Sequence, residues 1–573
     1  RRLSATLHLE GGETRELSLL PEEGMLRLPP LPPGHHRLEA AGALCRITCA
    51  PARAFRPSAL EAPRFGLTAQ IYPLRHAAEQ GMGDFTAVAE LARTAAAEGA
   101  LWLGLSPPHA LHLADRARAS PYQPSDRRFL DPMLIDAARL GPCAAQGGAL
   151  VDHPAAWAAK RATLAAAWAR FDRRDPGFQA FRAAGGAALR GFALHAALSE
   201  HLGHGDHRRW PAGLAHVDDR AVPGFAARLA EETEFHIFLQ FLADRQLAEA
   251  AAAGAGLYRD LAVGSAPDGA EAWTRALPFL QGFSIGAPPD PLGPLGQVWG
   301  VPPPDPLASA AEGHAGFAAL IRANMRHAAA LRIDHVLGLR RLFLVPDGAP
   351  AAEGAYLAQD MEGLLAAIRL ESHRARCAVV GEDLGTVPDG LRERLAEAGL
   401  LSYRVLWFER EEGRFTPPAR WPREAVACLA THDLPTLAGW WAGEDIAERE
   451  ALGLMPPGAA ETARAGRAAE RREILAALRE AGQPLPEDAA EGPFTEALAA
   501  ALHAYLAATP SLMLLIQAED LAGERVSVNL PGTDRERPNW RRRLPCDAQA
   551  LMAGPLAQAI LSAVKRARPA PPP

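Results

Sequence analysis

The chain is poor in cysteine, almost without lysine, and lacks any excess of positive charge. Among 573 residues there are six cysteines, Cys45, Cys49, Cys143, Cys377, Cys428 and Cys546, and no pair of C-x-x-C knuckles. This argues against a disulfide-stapled secreted scaffold and against a structural zinc. Cys45 and Cys49, four apart in "CRITC", read as two half-buried thiols. A formal net charge of -7 argues against nucleic acid and anionic membrane as partners. Lys160 and Lys565 are the only lysines, so Arg carries nearly all the basic charge, a bias without functional weight. No apolar run is long enough to span a bilayer, and no signal-peptide pattern opens the chain. Low cysteine use and the lack of a membrane signal point to a cytoplasmic protein. The chain starts at Arg1, without Met, inside a strand pattern, as a fragment would.

What is present is a globular composition, 48% hydrophobic and 22% charged, on a chain too long for one ordinary core. Residues 1–55 alternate apolar and polar positions in "ATLHLEGGETRELSL" and "HHRLEAAGALCRITC", broken by "GG" and "PPLPPG". That is the period-two signal of short antiparallel strands, and it predicts a small β-sandwich-like domain. Residues 56–64 hold Pro57 and Pro63 and read as a linker. From residue 65 to 565 the pattern changes to short apolar runs separated by helical stretches. The runs are "FGLTAQIY", "ALWLGLSP", "GLYRDLAVG", "ALRIDH", "CAVVGEDLG", "LSYRVLWFE", "AVACLATHD" and "LMLLIQAEDL". Alternating strand and helix implies a parallel sheet, and eight such units predict an α/β fold, a (β/α)₈ TIM barrel. Two Ala-rich helical stretches, about 145–250 and 441–508, are too long for barrel loops and read as insertions. The tail from 566 to 573, ending "RPAPPP", is expected to be disordered.

In such a barrel the chemistry sits at the C-terminal ends of the strands. Three strand candidates end in acidic clusters: Asp334-His335, Glu382-Asp383 and His432-Asp433. Any one alone reads as a helix cap or a loop salt bridge; three at matched positions point to one mouth. Paired carboxylates across a cleft are what glycoside chemistry requires. Arg332 lies two residues before Asp334, so both share a strand face and can pair. His335 falls on the other face. Glu382 follows the apolar "CAVVG", where partial desolvation would raise its pKa and suit a general acid. Asp433 is placed to stabilise positive charge. Sugar-binding candidates in Pro/Gly-rich loops are Tyr122, Trp299, Asn539 and Trp540. Two other patterns carry little. "GFSIG" around Ser284 matches a nucleophile elbow, but "APPDPLGPLG" follows where a helix is needed. His201, His204 and His207 in "HLGHGDH" lie in an insertion, away from the strand ends.

The motifs "SPYQPSDRRFLDPMLID", "GLYRDLAVG", "GAPPDPLGPLGQVWG", "LRIDHVLGLRRLF", "GEDLGTVP", "ATHDLPTLAGWW" and "NLPGTDRERPNWRRRL", in this order, resemble 4-α-glucanotransferases of glycoside hydrolase family 77. The likeness is to the long bacterial amylomaltases with an added N-terminal β domain. It implies that Asp334 is the nucleophile, Glu382 the acid/base and Asp433 the transition-state stabiliser. It further implies that Arg332 and His432 hold the nucleophile and a donor hydroxyl, that Tyr122 stacks on the donor sugar, and that Asp290, Gln297 and Trp299 belong to a lid. Asp131 stands where the family commonly has Asn. The implied partners are α-1,4-glucans, as maltodextrins or as starch or glycogen fragments, and glucose, with no metal and no organic cofactor. A monomer or a homodimer both suit this reading. The rivals are an α-glucan hydrolase with the same site and a catalytically inert glycan-binding protein.

Overall fold

A computed structural model describes residues 2–569, apart from 24, 144–146, 290–294, 484 and 486–488. Eight parallel strands close into a barrel: Arg64–Ala69, Trp102–Leu105, Gly256–Leu261, Ala330–Ile333, Ala378–Gly381, Leu401–Val405, Ala425–Cys428 and Met513–Gln517. These are barrel strands one to eight. Seven fall within the apolar runs and the first starts one residue before its run; the eighth closes on the first with Gln517 opposite Thr68. The runs are continuous rather than alternating because both faces of each strand are covered. In strand four, Ala330 turns into the barrel with Trp102, Tyr258, Tyr403 and Met513. Leu331 and Ile333 turn outward onto Ile321, Leu365 and Ile368 of the surrounding helices. Arg332 therefore points into the barrel, as the two-residue period requires.

Helices Phe85–Ala97, Ala315–Met325, Met361–Ala375 and Pro555–Ala567 belong to the outer layer. The expected insertion at 145–250 holds helices His153–Arg170, Pro176–Leu202, Val222–Arg228 and Ala230–Ala251. The last packs on both Pro176–Leu202 and Phe85–Ala97, and so joins the insertion to the outer layer through one core. The stretch 441–508 carries helices Glu444–Ala451, Ala459–Glu480 and Glu496–Ala507. The linker is not passive. Leu60 is 2% exposed and joins the barrel's interior cluster with Leu512 and Met513. At the other end, helix Pro555–Ala567 runs into the expected tail, and the buried Arg568 donates to Ala507 O and Thr509 O. Ordered chain thus passes the point where disorder was expected.

One element was not anticipated. After strand four, "VLGLRRLFLVP" makes a 3-10 turn, Val336–Leu339, and then a strand, Arg341–Pro346. That strand centres a four-stranded antiparallel sheet with Phe283–Ala287, Gln297–Val298 and Ala355–Ala358. Its inner face buries Ile285, Leu342 and Leu344 against Val301 and Trp299 beside the barrel mouth. The N-terminal strands Leu3–His8, Thr14–Leu19, Gly34–Ala40 and Ala43–Cys49 form a four-stranded antiparallel sheet around Leu7 and Leu38. Among the described residues, a second sheet there is represented by the ribbon Pro21–Glu22 with Met25–Leu26. Among the described residues, no helix is long and apolar enough to cross a membrane.

Candidate active site

The C-terminal ends of the barrel strands converge on a polar cavity lined in part by Tyr122, Asp260, Arg332 and His432. Arg332 is its electrostatic centre. One guanidinium nitrogen reaches both oxygens of Asp260, at 2.7 and 2.9 Å. The other lies 2.8 Å from Asp334. Arginine stays cationic, so its planar fork can serve two carboxylates from neighbouring strands. Strands three and four pair with Asp260 opposite Arg332, which makes this arrangement geometrically natural.

Glu382 follows strand five, the neighbour of strand four, where Ile333 pairs with Gly381. Asp334 and Glu382 are the next residues on each strand. The Glu382 carboxyl accepts the His335 N–H at 2.9 Å and the Leu384 N–H at 2.7 Å. Burial pushes this carboxyl up to about 7; Arg332 opposes the rise and the Asp334 charge adds to it. His335 adopts a left-handed backbone, φ 49°, which turns its N–H toward Glu382. Its ring leaves the cavity and meets Trp299 edge-on, 5.0 Å between centroids.

Past strand seven, His432 and Asp433 form a second polar chain. The Tyr122 hydroxyl donates to Asp260 at 2.7 Å and lies 3.1 Å from His432 Nδ1. Having one proton, already donated, the hydroxyl accepts from Nδ1–H. His432 Nε2 lies 3.2 Å from Asp433. Burial opposes charge on His432, but Asp433 outweighs it and the imidazole is pushed up. For Asp433, burial raises the carboxyl, yet His432 and the Asn529 amide, 2.7 Å away, bring it down to about 2. The pair is therefore ionic. Tyr122 stacks on His432 with 4.4 Å between ring centroids, which fixes its orientation.

The sequence profile described as 4-alpha-glucanotransferase, glycoside hydrolase family 77, matches residues 69–548. The chain belongs to this family. A 4-alpha-glucanotransferase of Mycobacterium tuberculosis is 39% identical, over 89% of this chain and 76% of that protein. One of Haemophilus influenzae is 32% identical, over 92% of this chain and 82% of that protein. Among solved structures, an amylomaltase from Corynebacterium glutamicum superposes with a TM-score of 0.86 at 30% identity, covering 98% of this chain and 86% of that one. An amylomaltase from Streptococcus agalactiae in complex with acarbose has a TM-score of 0.71 at 18% identity, covering 88% and 99%, which speaks to the fold alone. The activity is accordingly that of a 4-alpha-glucanotransferase.

Within the family frame, the expected site residues separate into two groups. Asp334, Glu382, Asp433, Arg332, His432 and Tyr122 gather at one mouth through the contacts above. Trp299 is half-buried just after strand Gln297–Val298, with its indole N–H on Gln297 at 2.9 Å. Its carbonyl accepts from Gln123 at 2.7 Å, which ties this segment to the loop carrying Tyr122. Asp290 lies outside the described residues. Asn539 and Trp540 differ from expectation. The Asn539 amide is used inside its own loop, accepting from Leu530 N and Arg537 and donating to Thr533. Trp540 is 5% exposed and packs against the rings of Tyr122 and His432. Asp131 is buried on Arg116 at 2.9 Å, a structural ion pair.

Among the described residues, no base is hydrogen-bonded to Ser284. Its hydroxyl donates to Ile285 O and accepts from Gly300 N, so it braces the sheet against the segment after Gln297–Val298. Among the described residues, the one three-ligand grouping that could hold a metal is His76, Asp84 and Asp136, not the histidines of "HLGHGDH". Lys160, fully buried 3.9 Å from Asp84, already supplies a cation there. Sequence reasoning missed Asp260 and Asn529. Asp260 ends strand three in "GLYRDLAVG" as Asp334 ends strand four, so the same strand-end filter reaches it. Asn529 carries no such signal, because its loop approaches Asp433 only in the folded chain.

Proposed function

We propose that the protein carries out retaining transglycosylation on α-1,4-glucans, transferring segments between maltodextrins or onto glucose through a covalent glycosyl-enzyme. The observation that carries this reading is the unequal environment of two adjacent carboxyls. Asp334 is ion-paired to Arg332 at 2.8 Å, while Glu382 is pushed up to about 7. A carboxyl held by a guanidinium beside one raised by burial suits a division into nucleophile and protonated acid. Neighbouring strands lie about 4.8 Å apart, which suits the carboxyl separation of about 5–5.5 Å that retention requires.

In the first step Asp334 attacks C1 of the donor unit as Glu382 gives its proton to the departing 4-oxygen. The C1–O4 bond breaks, and C1 is inverted as its ester to Asp334 forms. In the second step Glu382, now a carboxylate, takes the proton of an acceptor 4-hydroxyl, whose oxygen displaces Asp334 with a second inversion. Asp433, kept anionic by His432 and Asn529, offsets the positive charge that grows on the ring in both steps. Tyr122 supplies the face on which the donor unit rests. The six cysteines, all free thiols, agree with a cytoplasmic setting.

Maltotriose tests the reading. A transferase converts it to glucose and longer maltodextrins without a net rise in reducing ends. Steadily rising reducing ends with no longer products would make the protein a hydrolase. Binding without turnover would make it a glycan-binding protein.

A further inference from the structure

The wall of the cavity formed by strands eight and one has no role in the steps above, yet it holds an unusual concentration of unmatched polarity. Gln70 follows strand one, Gln517 ends strand eight, and Glu519 lies two residues beyond. All three line the cavity that also contains Tyr122, Asp260, Arg332 and His432. They are 7%, 8% and 6% exposed. The Oε1 atom of each is buried and, among the described residues, has no hydrogen-bond partner. Buried polar atoms are normally paired, so three orphans on one wall call for an explanation.

Their position supplies one. Around the barrel the strands run three, four, five, six, seven, eight, one, two. Strand eight is therefore opposite strand four, and strand one opposite strand five. Gln517 and Glu519 face the side bearing Asp334, and Gln70 faces the side bearing Glu382. A glucosyl unit resting on Tyr122 with C1 at Asp334 lies between the two walls. Its hydroxyls are both donors and acceptors, so they pair with an amide in either sense and with a carboxyl in either protonation state.

We propose that Gln70, Gln517 and Glu519 form a hydroxyl-binding wall of the donor subsite, positioning the glucosyl unit by the hydroxyls it turns away from the nucleophile. This rests on the transferase reading and adds residues and a selectivity to it. A wall built to pair hydroxyls discriminates against donors that lack them, because its own polar atoms are then left unmatched. The alternative occupant is bound water, with no role in donor choice.

The test uses Gln517→Leu and Gln70→Leu in the full chain, with Glu519→Gln as the conservative companion if either fails to fold. Donors are α-glucosyl fluoride and its 2-, 3- and 6-deoxy analogues, with a maltodextrin acceptor, and kcat/KM is measured for each pair. The loss of one such hydrogen bond lowers kcat/KM for the parent donor by about tenfold. For at least one deoxy donor the same substitution costs less than twofold, since the partner hydroxyl is already gone. Equal losses for the parent and all three deoxy donors, or no loss at all, would overturn the wall and leave water as its occupant. Maltotriose turnover by the unaltered enzyme is scored separately. Its failure to make longer glucans removes the transferase reading itself, whereas equal deoxy penalties remove only the wall.

Discussion

Glu382→Gln removes the one carboxyl for which the proposed chemistry and the fold make opposite demands. Burial pushes Glu382 from 4.5 to about 7. At 1.36 kcal/mol per unit, this is on the order of 3 kcal/mol of preference for the neutral form. The sign follows from linkage. The folded value lies above the unfolded one, so the stability tied to the proton is complete below about 4.5 and is lost as pH rises through about 7. Glutamine keeps the shape and never ionises. The variant should therefore match the parent near pH 4.5 and exceed it at pH 8, by up to about 3 kcal/mol, in denaturant melts run at both values. Its activity should move the other way. Loss of a positioned acid costs about 10²–10⁴ in kcat on maltotriose. In the parent, kcat/KM for maltotriose should fall about tenfold per unit above pH 7, as the proton needed by the leaving oxygen disappears. Burial also raises Glu519 and Asp520 to about 7, so the limb needs an assignment. α-Glucosyl fluoride supplies it, because fluoride departs without a proton. Its kcat/KM should stay flat across pH 7. An alkaline limb of equal pKa with the fluoride donor, or a Gln variant no more stable than the parent at pH 8, would refute the reasoning.

Two further outcomes bear on the site. Asp334→Ala should abolish turnover of maltotriose while maltodextrin binding, read by calorimetry, stays within a few-fold of the parent; near-normal transfer would remove Asp334 as nucleophile. Ser284→Ala should leave kcat within about twofold and lower stability by about 1 kcal/mol, the worth of a buried hydrogen bond. A loss of activity beyond a hundredfold would instead give the G-x-S-x-G serine a chemical role.

How much of this was legible in the sequence depends on whether a contact lies along one strand or between distant segments. The barrel strands were readable because parallel strands covered on both faces carry unbroken apolar runs. The Arg332–Asp334 pair was readable because two residues of one strand share a face. The raised Glu382 followed from the apolar run before it. Asp260 needed one more step, since Arg332 meets it only through the register of strands three and four. The side sheet around Arg341–Pro346 was missed because "RLFLVP" has the same continuous apolar character as a barrel strand, and nothing local says which sheet it joins.

The partners of Asn539 and Trp540 were not legible for a related reason. A loop rich in Pro, Asn and Trp looks equally fit to hold a sugar or to hold itself. The fold decides by supplying partners: Thr533 and Arg537 for the amide, and Tyr122 and His432 for the indole. Gln70, Gln517 and Glu519 are the converse case. They were silent in sequence because each sits in or just after an apolar run and looks like an ordinary strand-end residue. Only the closed barrel brings their unmatched oxygens to one wall, opposite the carboxyls that the sequence made conspicuous. In this barrel the groups proposed to react are written along single strands. Those proposed to select and orient are distributed between strands, and closing the barrel is what assembles them.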